Sequence, residues 1–184
     1  APNWFYEWTG WGILTKRLTP WMAGEPVTFV DGQRISGIHK LPSCIQAADY
    51  DYYCLSENPE GHTYHNIGNK RGSDYRPDGA VELLKVDDEY VVTQAEDGEW
   101  MNYTVKVPET RAYTVFVTYK AKSAPVFSVA SDQGRGTKTV ILPVSEQWKE
   151  QKIGELTLTA GACVLRLSIQ KSGKDLCISK ICVR

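Results

Sequence analysis

An excess of positive charge is the first thing missing. In 184 residues, 21 Lys and Arg stand against 22 Asp and Glu. Nothing in that balance would neutralise a phosphate backbone, so charge-driven nucleic-acid binding is excluded. Blocks of like charge are absent too, which removes acidic tails and polybasic membrane patches. Long apolar runs are also lacking. Ala112 to Tyr119 and Ala162 to Ile169 are interrupted by polar residues, well short of the roughly 18 to 20 positions that span a bilayer. A soluble chain with no membrane partner is expected. The opening Ala1-Pro2-Asn3 has neither the charged nor the apolar region of a signal peptide, which points to a removed leader or to a piece of something longer. Cysteine is sparse. Cys44, Cys54, Cys163, Cys177 and Cys182 fit neither a dense disulfide framework nor paired CxxC zinc ligands. Their odd number leaves at least one thiol unpaired within the chain, and since Cys packs as a small apolar residue, mostly free core thiols are expected.

Catalytic signatures are equally scarce. Gly134-Arg135-Gly136 lacks the lysine and the helix of a phosphate-binding loop, and there is no GxSxG elbow and no HExxH. His62 and His65 are close in sequence, yet two imidazoles hold a metal only with a third ligand from elsewhere. Glu82, Asp97 and Glu99 are candidate acids for a glycosidase pair, but the separation that such a pair needs is not written in a sequence. With no catalytic constellation, a binding module is favoured over an enzyme.

What the chain does have is alternation. Tyr113 to Tyr119 interleaves rings with β-branched residues, and Val126 to Val129, Lys138 to Leu142, Leu156 to Leu158 and Cys163 to Ile169 repeat the pattern. Turn residues cluster at Asp132 to Gly136 and at Lys171 to Asp175. Short strands with close turns and no helical stripe predict an all-β fold: two packed antiparallel sheets, a β-sandwich of jelly-roll type. The first 41 residues differ in kind. They hold four of the six tryptophans, Trp4, Trp8, Trp11 and Trp21. They are read as an N-terminal extension or the tail of a neighbouring domain, with residues 42–184 as the sandwich. An exposed aromatic platform for sugars is the sharper alternative for that extension.

Two further tryptophans stand among charges and amides. Trp100 lies in Glu96-Asp97-Gly98-Glu99-Trp100-Met101-Asn102-Tyr103, and Trp148 in Ser145-Glu146-Gln147-Trp148-Lys149-Glu150. Aromatic faces attract the axial C–H patches of sugars, while nearby polar groups select hydroxyl orientation. A lone tryptophan is as readily a ring tucked under a loop, but two in such settings suggest a shared site.

Ordered motifs strengthen that suggestion. Ile45-Gln46-Ala47-Ala48-Asp49-Tyr50-Asp51 resembles the opening strand of carbohydrate-binding module family 6. Tyr64-His65-Asn66, continued through Asp74-Tyr75-Arg76-Pro77-Asp78-Gly79-Ala80-Val81-Glu82, is similar to that family's next stretch, and Gly98-Glu99-Trp100-Met101-Asn102-Tyr103-Thr104-Val105 to its "GEWLEYTV". Pro108 and Tyr113-Thr114-Val115 follow in the places the family would put them. The likeness runs from about residue 42 to the C-terminus. It implies a jelly-roll sandwich that is not itself an enzyme and that keeps an attached catalytic glycoside hydrolase, in the same chain, near its polysaccharide outside the cell. By position it implies a cleft in which Trp100 and Trp148 grip a sugar, His65 or Asn66 supplies hydrogen bonds, and Tyr64, Tyr75 and Arg76 are neighbours.

Departures from the family pattern carry their own expectations. The acids that hold the family's structural calcium are replaced by Gln46, Ala48 and Ser179. A hard cation wants several oxygen ligands with carboxylate charge, so no cofactor or metal is expected. The family's sugar-binding asparagine aligns with Cys177, leaving Asp175 or Lys174 to substitute. Those losses keep open an alternative function: a structural accessory domain that packs on a catalytic domain with little sugar affinity.

Overall fold

The computed structural model describes residues 38–50, 75, 81–133, 136–173 and 175–184. Among these the chain forms eleven strands: β1 (His39–Lys40), β2 (Ser43–Gln46), β3 (Leu83–Val86), β4 (Glu89–Thr93), β5 (Trp100–Val107), β6 (Arg111–Ala121), β7 (Val126–Ser131), β8 (Lys138–Ile141), β9 (Ser145–Leu158), β10 (Gly161–Lys171) and β11 (Cys177–Val183). The only helical piece among the described residues is a short 3-10 turn, Ala47–Asp49. One sheet has the order β1-β5-β10-β7-β8 and the other β3-β4-β11-β6-β9, with β2 added on β11. Every pairing is antiparallel except β1 with β5, where His39 lies opposite Val105. The sheet therefore reaches back slightly into the stretch assigned to the extension, and Leu41 is already in the core.

The alternation seen in the sequence becomes the two sides of each sheet. In β6, Tyr113, Val115, Val117, Tyr119 and Ala121 are buried while the residues between them are not. Their counterparts Met101, Tyr103, Val105 and Val107 of β5 close the core from the opposite sheet. Burying such side chains contributes roughly 1.5 to 3 kcal/mol each, and this drives the two sheets together. Core tyrosines also tie down loops, since their hydroxyls must find acceptors once buried. Tyr103 donates to the Ala47 carbonyl at 2.9 Å, Tyr113 to Glu109 at 3.1 Å and Tyr119 to Pro143 at 2.5 Å.

Gly154 marks where the two sheets meet along one side. A Cβ there would lie 2.5 Å from Lys138 Cβ, across from β9 to β8. Gly154→Ala is expected to destabilise the fold by about 1 to 3 kcal/mol, read as a lower urea midpoint with an unchanged slope.

The cysteine expectation is corrected in part. Cys44 and Cys182 face each other in the β2–β11 register and form a disulfide. Cys163 and Cys177 are free and buried, as expected of core thiols, whereas Cys54 lies outside the described residues. Burial first, and the nearby Asp132 second, push the Cys163 thiol up to about 12, so it stays protonated and inert.

His39, half-buried on β1, has a pKa lowered from its ordinary 6.5 by burial, which Asp49 only partly offsets. The folded state thus favours the neutral ring. Stability from this group is complete above about 6.5 and is lost as pH falls from there through the folded value. His39→Gln should flatten the decline in urea midpoint between neutral and mildly acidic pH.

Candidate functional site

The two tryptophans occupy different sheets and opposite outer faces. In β5 the core side belongs to Met101, Tyr103 and Val105, so Trp100 is on the outer side with Asn102 and Thr104. It is nonetheless only 7% exposed. Arg166 of the neighbouring strand β10 covers it, with the guanidinium carbon 3.6 Å from the ring centroid and Nε donating to Asn102 Oδ1 at 3.0 Å. Burial lowers the Arg166 pKa from its ordinary value. The indole Nε1 is buried without a hydrogen-bond partner. Trp100 is thus a covered structural ring.

Trp148 is the reverse case, 39% exposed. In β6, Val117 and Tyr119 point into the core, which places Thr118 and Lys120 on the outer face of the second sheet. The β6–β9 register sets Lys149 opposite Tyr119, and Trp148 falls on that same outer face. The Lys120 ammonium lies 5.0 Å from its ring centroid. The expectation that the two indoles share one cleft therefore requires correction. Strand alternation turns them away from each other, and the cavity that Trp148 lines does not include Trp100.

That cavity, of about 420 Å³, opens on the outer face and is bounded by Trp148, Thr118, Lys180 and the acids Asp87, Asp88 and Glu89. The Ser179 hydroxyl donates to Glu89 Oε2 at 3.2 Å. Thr118 Oγ1 is buried without a partner. A second pocket of about 240 Å³ lies beyond Lys120, where Lys122, Glu146, Asp175 and Cys177 line it.

Of the remaining expected site residues, Asp175 comes to this end of the sheet. Its carboxylate pairs with Lys122 Nζ at 2.9 Å, and that hydrogen bond and charge raise the Lys122 pKa. Cys177 sits in the same pocket, with its Sγ 3.7 Å from Thr93 Oγ1. Gly173 fixes the turn between β10 and Asp175: a Cβ there would run into the Ser123 carbonyl oxygen and lie 3.1 Å from Ala121 Cβ. Tyr75 is braced elsewhere, stacked on Tyr90 at 4.6 Å and donating to Asp49 Oδ1 at 2.5 Å. Tyr64, His65, Asn66 and Arg76 lie outside the described residues. Asp87, Asp88, Glu89, Thr118 and Lys180 were not singled out from the sequence. The signal was there in the acidic run at the β3–β4 turn, but its closeness to Trp148 depends on β9 lying two strands from β11.

The positions at which the resemblance places calcium-binding acids carry no carboxylate. Ala48 is fully buried and offers no side-chain oxygen, the cross-strand neighbour of Gln46 is Lys180, and the Ser179 hydroxyl is engaged by Glu89.

Solved structures that share this two-sheet sandwich include carbohydrate-binding modules. The module CBM6cm-2 from Cellvibrio mixtus lichenase 5A, solved with cellotriose, matches at TM-score 0.53 and 14% identity over 78% of this chain and 96% of its own. CsCBM6-3 from Clostridium stercorarium, solved with cellobiose, matches at TM-score 0.51 and 17% identity over 80% of this chain and 96% of its own. The fold is therefore that of the family 6 modules. No family model matches the sequence, and no curated protein matches it. Among the described residues no helix is long and apolar enough to cross a membrane.

Proposed function

We propose that this protein is a non-catalytic carbohydrate-binding module that holds a polysaccharide on the outer face of its second sheet, over Trp148. The observation that carries the proposal is an exposed indole at the edge of an open cavity that charged and polar side chains line together with Val86 and Val91. Cavities of about 300 to 1,000 Å³ are the size in which small ligands bind. The indole supplies contact area for a sugar face, and Thr118, Lys180 and the acids supply acceptors and donors for hydroxyls. Tyr64, His65, Asn66 and Arg76 remain in the proposal as polar contributors.

The proposed role is to keep an attached glycoside hydrolase on its substrate outside the cell. The Cys44–Cys182 disulfide supports such a setting, since disulfides persist where the environment is oxidising. No metal is proposed. Melting temperatures in calcium and in a chelator are expected to agree within about 1 °C, because nothing that binds only the folded state is removed.

Titration of soluble plant and algal oligosaccharides by calorimetry tests the central claim. Trp148→Ala should weaken binding about ten- to a hundredfold, the loss of roughly 1.5 to 3 kcal/mol of buried ring contact. The fold should persist, since the ring is exposed. If no glycan in a broad panel binds the unaltered chain, the proposal is refuted. The burial of Trp100 favours a second reading, a structural accessory domain packed on a catalytic partner. A parent enzyme that keeps full stability and activity without residues 42–184 would argue against that role.

A further inference from the structure

The cavity beside Trp148 is unevenly charged. Asp87 and Asp88 form the turn between β3 and β4, and Glu89 opens β4, so three successive carboxylates stand on its rim. Turn geometry accounts for Asp87, whose φ of 53° is a conformation that Asp adopts more readily than most residues. It does not require an acid at 88 or 89. Lys180 is the single cation lining the cavity among the described residues, and Lys120 lies against the indole outside it. Glu89 has one hydrogen bond, from Ser179. Thr118, another lining residue, has its Oγ1 buried without a hydrogen-bond partner.

An indole face attracts cations through its quadrupole, and carboxylates attract them through charge. A sugar unit bearing an ammonium group answers both while still laying its ring on Trp148. A uronate or sulfated unit meets like charge, which acts as a repulsive element in specificity. Resting on the carbohydrate-binding function proposed above, we propose that the Trp148 cavity selects glycans carrying free amino groups, with Asp87 and Asp88 as its specificity-determining residues.

The experiment compares three β-1,4-linked tetramers at mildly acidic pH, where a sugar amine is protonated: the glucosamine tetramer, its N-acetylated counterpart and the glucose tetramer. The amino tetramer should bind about tenfold more tightly than either neutral one at low salt, as expected of two exposed ion pairs with a cation–π contact. The preference should shrink in 0.5 M NaCl, where screening shortens the reach of exposed charges. Asp87→Asn with Asp88→Asn should reduce it to within about twofold, keeping the turn because Asn adopts the same backbone conformations. Equal or tighter binding of a neutral tetramer overturns the inference while leaving carbohydrate binding intact, and so does a preference unaltered by the double substitution. Silence from all three tetramers, together with the broader panel, refutes both.

Discussion

Replacing Cys44 and Cys182 together by alanine should lower the stability of the sandwich by about 5 kcal/mol on a chain-entropy view, or 2 to 5 kcal/mol by analogy with native disulfides removed elsewhere. The bond joins residues 138 apart in sequence, so it closes almost the whole described sandwich into one loop and removes a large share of the unfolded chain's freedom. The native side of the change is local. β2 pairs only with β11, through four residue pairs from Ser43 to Gln46, and the bridge sits inside that short ladder. At about 5 kcal/mol the melting temperature should fall by roughly 10 to 20 °C, at about 2 to 4 °C per kcal/mol for a domain of this size. The control is Cys163→Ala with Cys177→Ala, which removes the two free buried thiols and leaves the bond. A double alanine variant at 44 and 182 that melts with the unaltered chain would show that the bridge does not form in solution.

That bond illustrates what a sequence of this kind conceals. The strands were legible because each makes its own case: Tyr113 to Tyr119 alternates ring and β-branched residues, and β6 buries every second one of them. Pairing partners are not local. Cys44 and Cys182 meet only because β2 adds to the middle of the second sheet, and no spacing rule foretells that. The tryptophans divide in the same way. Around Trp100 the sequence does alternate, with Met101, Tyr103, Val105 and Val107 claiming the core, so its outward side was readable. Its cover, Arg166, comes from a strand more than sixty positions further on. Around Trp148 there is no alternation to read, since Glu146, Gln147, Lys149 and Glu150 are all exposed. Only the register with β6 assigns that indole its face, and only the sheet order brings Asp87 to Glu89 near it.

Trp100→Ala should therefore damage the fold and spare the binding, the opposite of what two rings in one cleft would give. Truncating a buried tryptophan costs about 3 to 5 kcal/mol. Here the loss has two parts: the packing of the indole, and the cation–π contact that compensates a partly desolvated Arg166. Trp100→Phe should cost much less. It keeps a ring under the guanidinium, and the Nε1–H it deletes has no hydrogen-bond partner to lose. Affinity for whatever glycan binds the unaltered chain should be unchanged in both variants at a temperature where they remain folded, while Trp148→Ala shows the converse, a folded chain with weakened binding. Loss of affinity in Trp100→Ala without loss of stability would return Trp100 to the ligand and refute the assignment of the site to the outer face of the second sheet alone.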